Sequence, residues 1–452
     1  MKRLFLVLTV FALLFPLAAQ EGGAGSPGFS AGLNLGSDLL PNPTTGVMES
    51  WSKLGFQPDL AIGKFGVGLD LTFRFKLYPD GSTPIEIYSP DWIPQTGQTV
   101  FDVYLPKIMY VRYGTRGVDT LYAKLGSISD FTLGNGLIIS DYANTRFLPE
   151  KRLFGLQAGI DGALFNVPYI GLEALTGNLA NLDVIGGRVY IRPLAFMGKS
   201  VLGRVQLGAT AVVDRDPFLY SATPGAGTLI YVAGADVTVP IVTGSIFSLT
   251  AFVEGAREMN DSMGAIAGIS GRLISFIRYG AQVRYMQTGF IPSYFDANYD
   301  IYRPDRYNFV ANNAPGAFVP GWLASLGFDL FNQKLVFSAL LDGPFAAIPS
   351  PASDNSSAYP HLKGSLVLKE GMIGGISFEG SYEKYFIGRI SPFFSDLIDP
   401  TDAAIGLAVN YKTGATVLTL AYAVRWDPSK VNPDTTIGGF DVSSSLSAAV
   451  RF

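Results

Sequence analysis

Val67-Gly-Leu-Asp-Leu-Thr-Phe-Arg-Phe-Lys-Leu-Tyr78 is the stretch on which the architecture turns. Val67, Leu69, Leu71, Phe73, Phe75 and Leu77 occupy one parity, and Gly68, Asp70, Thr72, Arg74 and Lys76 the other. Successive side chains of a strand point to opposite faces, so the segment predicts a strand with one wholly apolar face and one polar, charged face. The same grammar recurs. Leu229, Tyr231, Ala233, Ala235, Val237 and Val239 alternate against Val232, Gly234, Asp236 and Thr238. Leu273, Ile277, Tyr279, Ala281, Val283 and Tyr285 alternate against Arg272, Arg278, Gly280, Gln282 and Arg284. At the C-terminus, Phe440, Val442, Leu446, Ala448, Val450 and Phe452 oppose Asp441, Ser443, Ser445, Ser447 and Arg451.

Composition agrees with an ordered, apolar chain. Of 452 residues 48% are apolar and 15% charged, with 52 glycines, one histidine and no cysteine. Disorder and a disulfide scaffold are excluded, and neither a glycine triplet nor a heptad repeat is present. Without cysteine there is no thiolate chemistry, no thiolate metal site and no lipid anchor on an N-terminal cysteine. Lys2 and Arg3, an apolar run over 4–17 and Ala18-Ala19 read as an export signal cleaved after Ala19. The run falls short of the ~20 apolar residues a membrane span needs. Removing residues 1–19 leaves 33 − 2 = 31 basic against 37 acidic residues, a net of −6 that argues against a nucleic-acid partner.

A soluble all-β chain of this length would divide into several domains, yet no linker, charge block or change of composition divides 20–452. The economical reading is all-β: a single transmembrane antiparallel β-barrel of about 16–20 strands. Turn spacing supports it, because such barrels alternate short turns at one end with longer loops at the other. Short connections are expected at 412–414, 370–374, 331–333, 270–271, 240–244, 194–200, 166–168, 114–119 and 63–66. Mostly longer ones are expected at 427–438, 387–401, 343–360, 287–320, 255–262, 215–227, 176–183, 127–153, 79–100 and 37–53.

The signal segment, the alternating strands and the ending Leu446-Ser-Ala-Ala-Val-Arg-Phe452 together resemble bacterial outer-membrane β-barrels and porins as a class. The resemblance implies residence in the bacterial outer membrane, contact with its lipid, and recognition of Leu446, Ala448, Val450 and Phe452 by the outer-membrane assembly machinery.

The chemistry of the chain is limited. His361 is the sole imidazole, and Lys363 stands where outer-membrane phospholipases would place a nucleophilic serine, so neither that motif nor a second histidine-based triad is available. His361 reads as a rim residue of an external loop. Glu379 and Glu383 share a strand face but lie roughly 13 Å apart at ~3.3 Å per residue, too far for joint proton transfer. Asp296, Asp300 and Asp305 lack the spacing of a calcium loop, and Gly22-Gly23-Ala24-Gly25 lacks the context of a phosphate loop. No enzyme activity, cofactor or metal is expected. Strands and loops use nearly all of residues 20–452, which leaves no room for a folded plug domain.

A charge on the lipid face would cost about 2–4 kcal/mol for Arg or Lys near the midplane, so the polar parity must face a lumen. This places Arg74, Arg188, Arg192, Arg204, Arg272, Arg278 and Arg284 in the pore lining with Asp70, Asp236, Asp329 and Glu379. Arg272, Arg278 and Arg284 form a basic ladder with rungs roughly 20 Å apart. The expected function is a porin-like channel for passive diffusion of small hydrophilic solutes, with a preference for anions. Equally compatible is a lumen in which arginines pair with acids and only hold the barrel in shape. Two other functions fit the same pattern: a fatty-acid-type transporter of hydrophobic substrates with a luminal hatch over 20–30, and an adhesin or structural protein acting through its loops. The loop 127–153, with Thr132-Leu-Gly-Asn-Gly-Leu-Ile138 and Glu150-Lys151-Arg152, has the charges of a constriction. The loop 287–320, with Phe290, Tyr294, Phe295, Tyr299, Tyr302, Tyr307, Phe309 and Phe318, reads as a solute grip or as a self-packed cover over the barrel mouth.

Overall fold

The structure, a computed structural model, describes residues 28–77, 85–148, 151–221, 225, 229–349, 352, 358–426 and 439–451. The expected signal segment, Phe452 and most of the proposed hatch lie outside the described residues. Among those described, twenty antiparallel strands form the wall, from Gly28–Pro41 to Phe440–Arg451. Each pairs with its neighbours in sequence. The last pairs with the first, with Leu35 opposite Ala448 and Ser37 opposite Leu446, and the sheet closes. No helix among the described residues is long and apolar enough to cross a membrane.

The two parities are sorted as alternation requires. Leu71, Phe73, Val237, Val253, Val283, Leu326, Leu418, Leu420 and Leu446 are exposed on the outside. Rows of exposed aromatics flank this belt. Phe65, Tyr113, Phe165, Phe196, Phe247, Phe331 and Tyr411 mark the short-turn end, and Tyr231, Tyr285 and Phe345 the opposite end, where Tyr285 stacks on Phe318 at 4.6 Å. An apolar band between aromatic girdles is the outer surface of a barrel that spans a membrane. Inside, cross-strand tyrosines lie over glycines: the Tyr122 ring covers Gly159 and the Tyr190 ring covers Gly171, at positions where any Cβ would meet the ring.

Turn positions differ from expectation in several places. The hairpin expected at 270–271 lies at 274–276, where Ile274 and Ser275 adopt φ of 52° and 65°. These are left-handed conformations held by residues that announce no turn. The turn expected at 240–244 sits at 244–247, and the short turn at 194–200 is a longer connection over 192–205. Conversely, the long connections expected at 37–53 and 255–262 are tight turns at 42–47 and 259–262.

The wall is uneven. Ile230–Thr243 has 14 residues, whereas Ile108–Tyr113 and Leu121–Gly126 have six each. The strand opened by Phe65–Leu69 breaks at Asp70, and its continuation Leu71–Lys76 meets only Glu86–Ile87 on that edge. Irregular chain fills the gap. Tyr88 packs inward on Trp51, and Asp91 pairs with the inward Arg74 at 2.7 Å, while Trp92 packs outward on Phe73 at 5.2 Å.

No separate plug domain appears among the described residues, but the lumen is partly filled. The described loop residues over 127–148 and 288–317 fold inward, the second segment carrying the helix Tyr299–Asn312. Phe131, Leu133, Ile138 and Tyr142 from one, and Phe290, Tyr294, Phe295, Tyr299 and Val310 from the other, are buried against each other. They also pack on the inward residues Leu175, Val184, Val212, Ile230, Val232, Phe252 and Ile266 of the wall. The aromatic loop is therefore not an external cover. Phe290, Tyr294, Phe295 and Tyr299 are used in its core, Tyr307 and Phe309 pack against that core, and Phe318 stands outside on Tyr285.

Candidate functional site: the barrel lumen

The inward loops are fixed to the wall at three places. At the first, the tip Gly134-Asn135 docks on the strands Ile230–Thr243 and Ser248–Glu258: the Asn135 N–H donates to Glu254 Oε2 at 2.7 Å, and Thr238 Oγ1 donates to Asn135 Oδ1 at 3.1 Å. Gly134 has φ of 60°, and a Cβ there would lie 3.1 Å from the Glu254 carboxylate, so glycine suits the turn on both counts.

The second is a buried ion cluster. Arg303, in the helix Tyr299–Asn312, is fully buried and donates to Asp183 Oδ2 and Asp214 Oδ1 at 2.7 Å each and to the Asp216 carbonyl at 2.9 Å. Tyr299 Oη donates to Asp214 Oδ2 at 2.5 Å. Asp300 lies 3.7 Å from the same guanidinium and receives Tyr142 Oη at 3.3 Å. Burial pushes the Asp300 carboxyl up to about 7, although Arg303 pulls the other way. Burial likewise raises the Tyr142 and Tyr299 phenols.

The third is a charged collar between the loops and the wall. Lys363 Nζ donates to Asp141 Oδ2 at 2.9 Å, Arg306 Nη2 to Asp296 Oδ2 at 2.5 Å, and Asn298 Nδ2 to Glu383 Oε2 at 2.5 Å. Tyr385 Oη bridges Asp296 and Glu383 at 2.8 and 3.0 Å. His361 belongs here and not to a rim loop. It opens the strand His361–Ile373, its Nδ1 lies 2.8 Å from Asp342 and its Nε2 3.2 Å from Glu383, and its ring stacks on Tyr385 at 4.5 Å. Two carboxylates clamp both ring nitrogens, so no nitrogen is left to serve as a base for a hydroxyl nucleophile.

Two of the cavities in the lumen lie beside the inward loops. One of about 460 Å³ is lined by Arg146, Arg278, Lys363 and Arg425, by Asp141 and Glu383, and by Ser325, Ser338, Ser365 and Ser381. The other, of about 650 Å³, is lined by Lys53, Arg74, Lys107, Lys151 and Arg152 against Asp38, Asp70, Asp91 and Asp102. Cations outnumber carboxylates in both, four to two and five to four.

Most of the residues singled out from sequence lie in the lumen lining, and most are paired. Arg74 holds Asp38 at 2.8 Å, Arg188 holds Asp236 at 2.6 Å, Arg278 holds Asp329 at 3.0 Å, and Arg284 holds Asp342. Asp70 pairs with Arg152 at 2.5 Å, and Arg192, just past its strand, pairs with Asp161 at 2.7 Å. Glu379 lines a smaller cavity with Ser443 and Ser445. Two expectations fail. Arg204 sits in the 3-10 turn Leu202–Arg204 and bonds Thr243 Oγ1, so it is not on a strand. Arg272 lies one residue before the end of the strand Met263–Leu273, directly opposite Arg278 on the next one, so the ladder on a single strand is reduced to Arg278 and Arg284. Two of the three carboxylates considered for a cation are engaged by arginines: Asp296 by Arg306 and Asp300 by Arg303. Sequence reasoning passed over Asp183, Asp214 and Arg303. A usable signal was present at Val212-Val213 and Ile230-Tyr231-Val232, where both parities turn apolar and an inward face must meet something other than water.

No family model and no curated protein matches the chain. Among solved structures it is similar to Pseudomonas aeruginosa OccK2 (OpdF) in complex with glucuronate, at 13% identity over 95% of this chain and 99% of that one, with a TM-score of 0.32. It is similar to Pseudomonas aeruginosa OccK11 (OpdR) at 11% identity over 96% and 99%, with a TM-score of 0.37. CdiB from Acinetobacter baumannii follows at 8% identity over 94% and 60%, with a TM-score of 0.27. Similarity at this level carries no weight for the chain, whose architecture rests on its own strand register.

Proposed function

We propose that the protein is a porin-like channel of the bacterial outer membrane, passing small hydrophilic solutes by diffusion and performing no chemistry of its own. The observation that carries this reading is the pair of polar cavities left beside the inward loops, with volumes of about 460 and 650 Å³ and walls of charged, amide and hydroxyl side chains. Groups of this kind inside a membrane-spanning barrel require water. The basic excess in both cavities supports a preference for anions. The pairing of most arginines keeps that preference modest, because a paired guanidinium presents little net field to a passing ion. The outward row Leu446, Ala448 and Val450 on the closing strand supports recognition of that strand by the assembly machinery.

Conductance of the purified protein in planar bilayers, with a salt gradient to give a reversal potential, tests both halves of the proposal. Steady conductance with an anionic reversal potential is expected. A silent protein defeats the channel, and a cationic reversal potential defeats the anion preference. Arg146 lines the smaller cavity, and its Nε bonds the Ala297 carbonyl. Arg146→Glu is expected to move the reversal potential toward cations without closing the channel.

A further inference from the structure

The connection 385–402 does not follow the other inward-folded loops. In the strand Ile376–Lys384, Glu383 faces the lumen, where it meets His361 and Asn298, so the next residue, Lys384, and its parity partner Tyr382 face outward. Both outward side chains are covered by this connection. Tyr382 Oη donates to the Leu397 carbonyl at 2.5 Å. Lys384 is completely buried, and its ammonium lies 3.2 Å from Asp396 and donates to the carbonyls of Asp399 and Thr401. The Gly388 N–H donates to the same Asp396 carboxylate at 2.5 Å. The chain around Asp396–Thr401 therefore lies on the exterior of the barrel, at the long-connection end, and wraps a lysine that would otherwise point into lipid.

The most exposed residues of this flap carry no charge. Its exposed residues over 390–400 are Ile390, Pro392, Phe394, Ser395, Ile398 and Pro400, with Phe394 at 82% and Ile398 at 84% exposure. A loop bathed in water would place charged or amide groups there; over 390–400 this one has only Asp396, which is turned to Lys384, and Asp399, whose carboxylate accepts the Thr401 N–H at 2.8 Å. Phe345 and Ile348 are exposed close by, and the Ile348 side chain lies against Gly388, so the apolar surface runs on from the girdle at this end.

Building on the membrane-barrel reading, we infer that the segment 390–398 is a lipid-embedded foot: Ile390, Phe394 and Ile398 sit among acyl chains at the headgroup boundary, beside the wall. The lipid belt continues without interruption from the strands onto the flap. The Lys384–Asp396 pair is the dry hinge that holds the foot against the barrel.

The chain has no cysteine, so single-cysteine variants can be spin-labelled without further change. Phe394→Cys and Ile398→Cys would be labelled in vesicles of phosphatidylcholine and phosphatidylglycerol, with Leu418→Cys as a belt reference and Asn312→Cys as a water reference. At both flap positions the accessibility to oxygen relative to a nickel chelate should match Leu418 and exceed Asn312. Nickel accessibility equal to Asn312 would overturn the foot. Exclusion of both reagents with dipolar broadening between labels would also overturn it, by showing a second copy of the chain there. A nickel-accessible label at Leu418 would mean that the barrel reading itself has failed, a result separable from failure of the foot.

Discussion

The helix Tyr299–Asn312 and the flap over 385–402 are both built around a buried cation held by carboxylate and carbonyl groups, and they lie on opposite sides of the same wall. Arg303 is enclosed by Asp183, Asp214 and the Asp216 carbonyl, and its loop buries Phe295 and Tyr299 completely. Lys384 is enclosed by Asp396 and two carbonyls, and its loop leaves Phe394 and Ile398 uncovered. The difference follows from the solvent each loop meets. A loop folded into a watery lumen must bury its rings to gain anything from them, whereas a loop folded onto a lipid-facing wall can leave them outward. Arg303 carries a planar fork that reaches two carboxylates; Lys384 offers a point charge suited to carbonyl oxygens.

The strongest way to break the comparison is to remove the two cations one at a time. Arg303→Ala strands Asp183 and Asp214 in a dry site, and breaking a buried pair in this way costs about 3–5 kcal/mol. The barrel should survive while the helix leaves the lumen, giving larger single-channel conductance and faster cleavage of 299–312 by added protease. Unchanged conductance would show that the helix is held by its rings alone. Lys384→Met should be milder, since a matched apolar stem keeps the contact with the wall and Asp396 retains the Gly388 N–H; about 1–3 kcal/mol is expected for the carbonyls and carboxylate left without their donor. Here a label at Ile398 should gain mobility while conductance stays the same. A change of conductance would place the flap over the pore and not beside it.

How far this division was legible in the sequence depends on what each residue had to announce. Strict alternation, as from Val67 to Leu77, marked the strands and their two faces, and the undivided chain with its alternating turn lengths then pointed to the barrel. Turns held by Gly414, Gly374 and Gly63 were visible because glycine marks the left-handed backbone. The turn at Ile274-Ser275 was not, since residues with no turn preference occupy that conformation, and the misplaced turn put Arg272 on the wrong strand. Loop direction was the least legible. Phe295 and Phe394 are the same residue type in loops of similar character, and only the tertiary position of Arg303 and Lys384 turns one inward and the other outward. His361 shows the same limit: just after the long connection expected over 343–360 it read as a rim residue, while its partners Asp342 and Glu383 come from neighbouring strands that a linear reading does not bring together.

The subtlest difference between the two cation sites concerns protons. Asp300 is the carboxyl of the inward site that burial holds at about 7, from an ordinary 3.8, while Tyr142, Arg303, Asp183 and Asp214 surround it. In a released loop the same group would ionise near 3.8. Between those two values the packed loop binds one more proton than the released loop, so packing is favoured by acid. Its contribution is full below about pH 4, declines as the pH rises toward 7, and is level above that. Protease cleavage of 299–312 should therefore be slowest at the acid end and should quicken across this window. Asp300→Asn, which keeps a neutral group of the same shape, should remove that part of the pH dependence and leave cleavage slow at pH 7. Cleavage that slows as pH rises, or an Asp300→Asn chain with an unaltered profile, would show that another group governs how the helix stays inside.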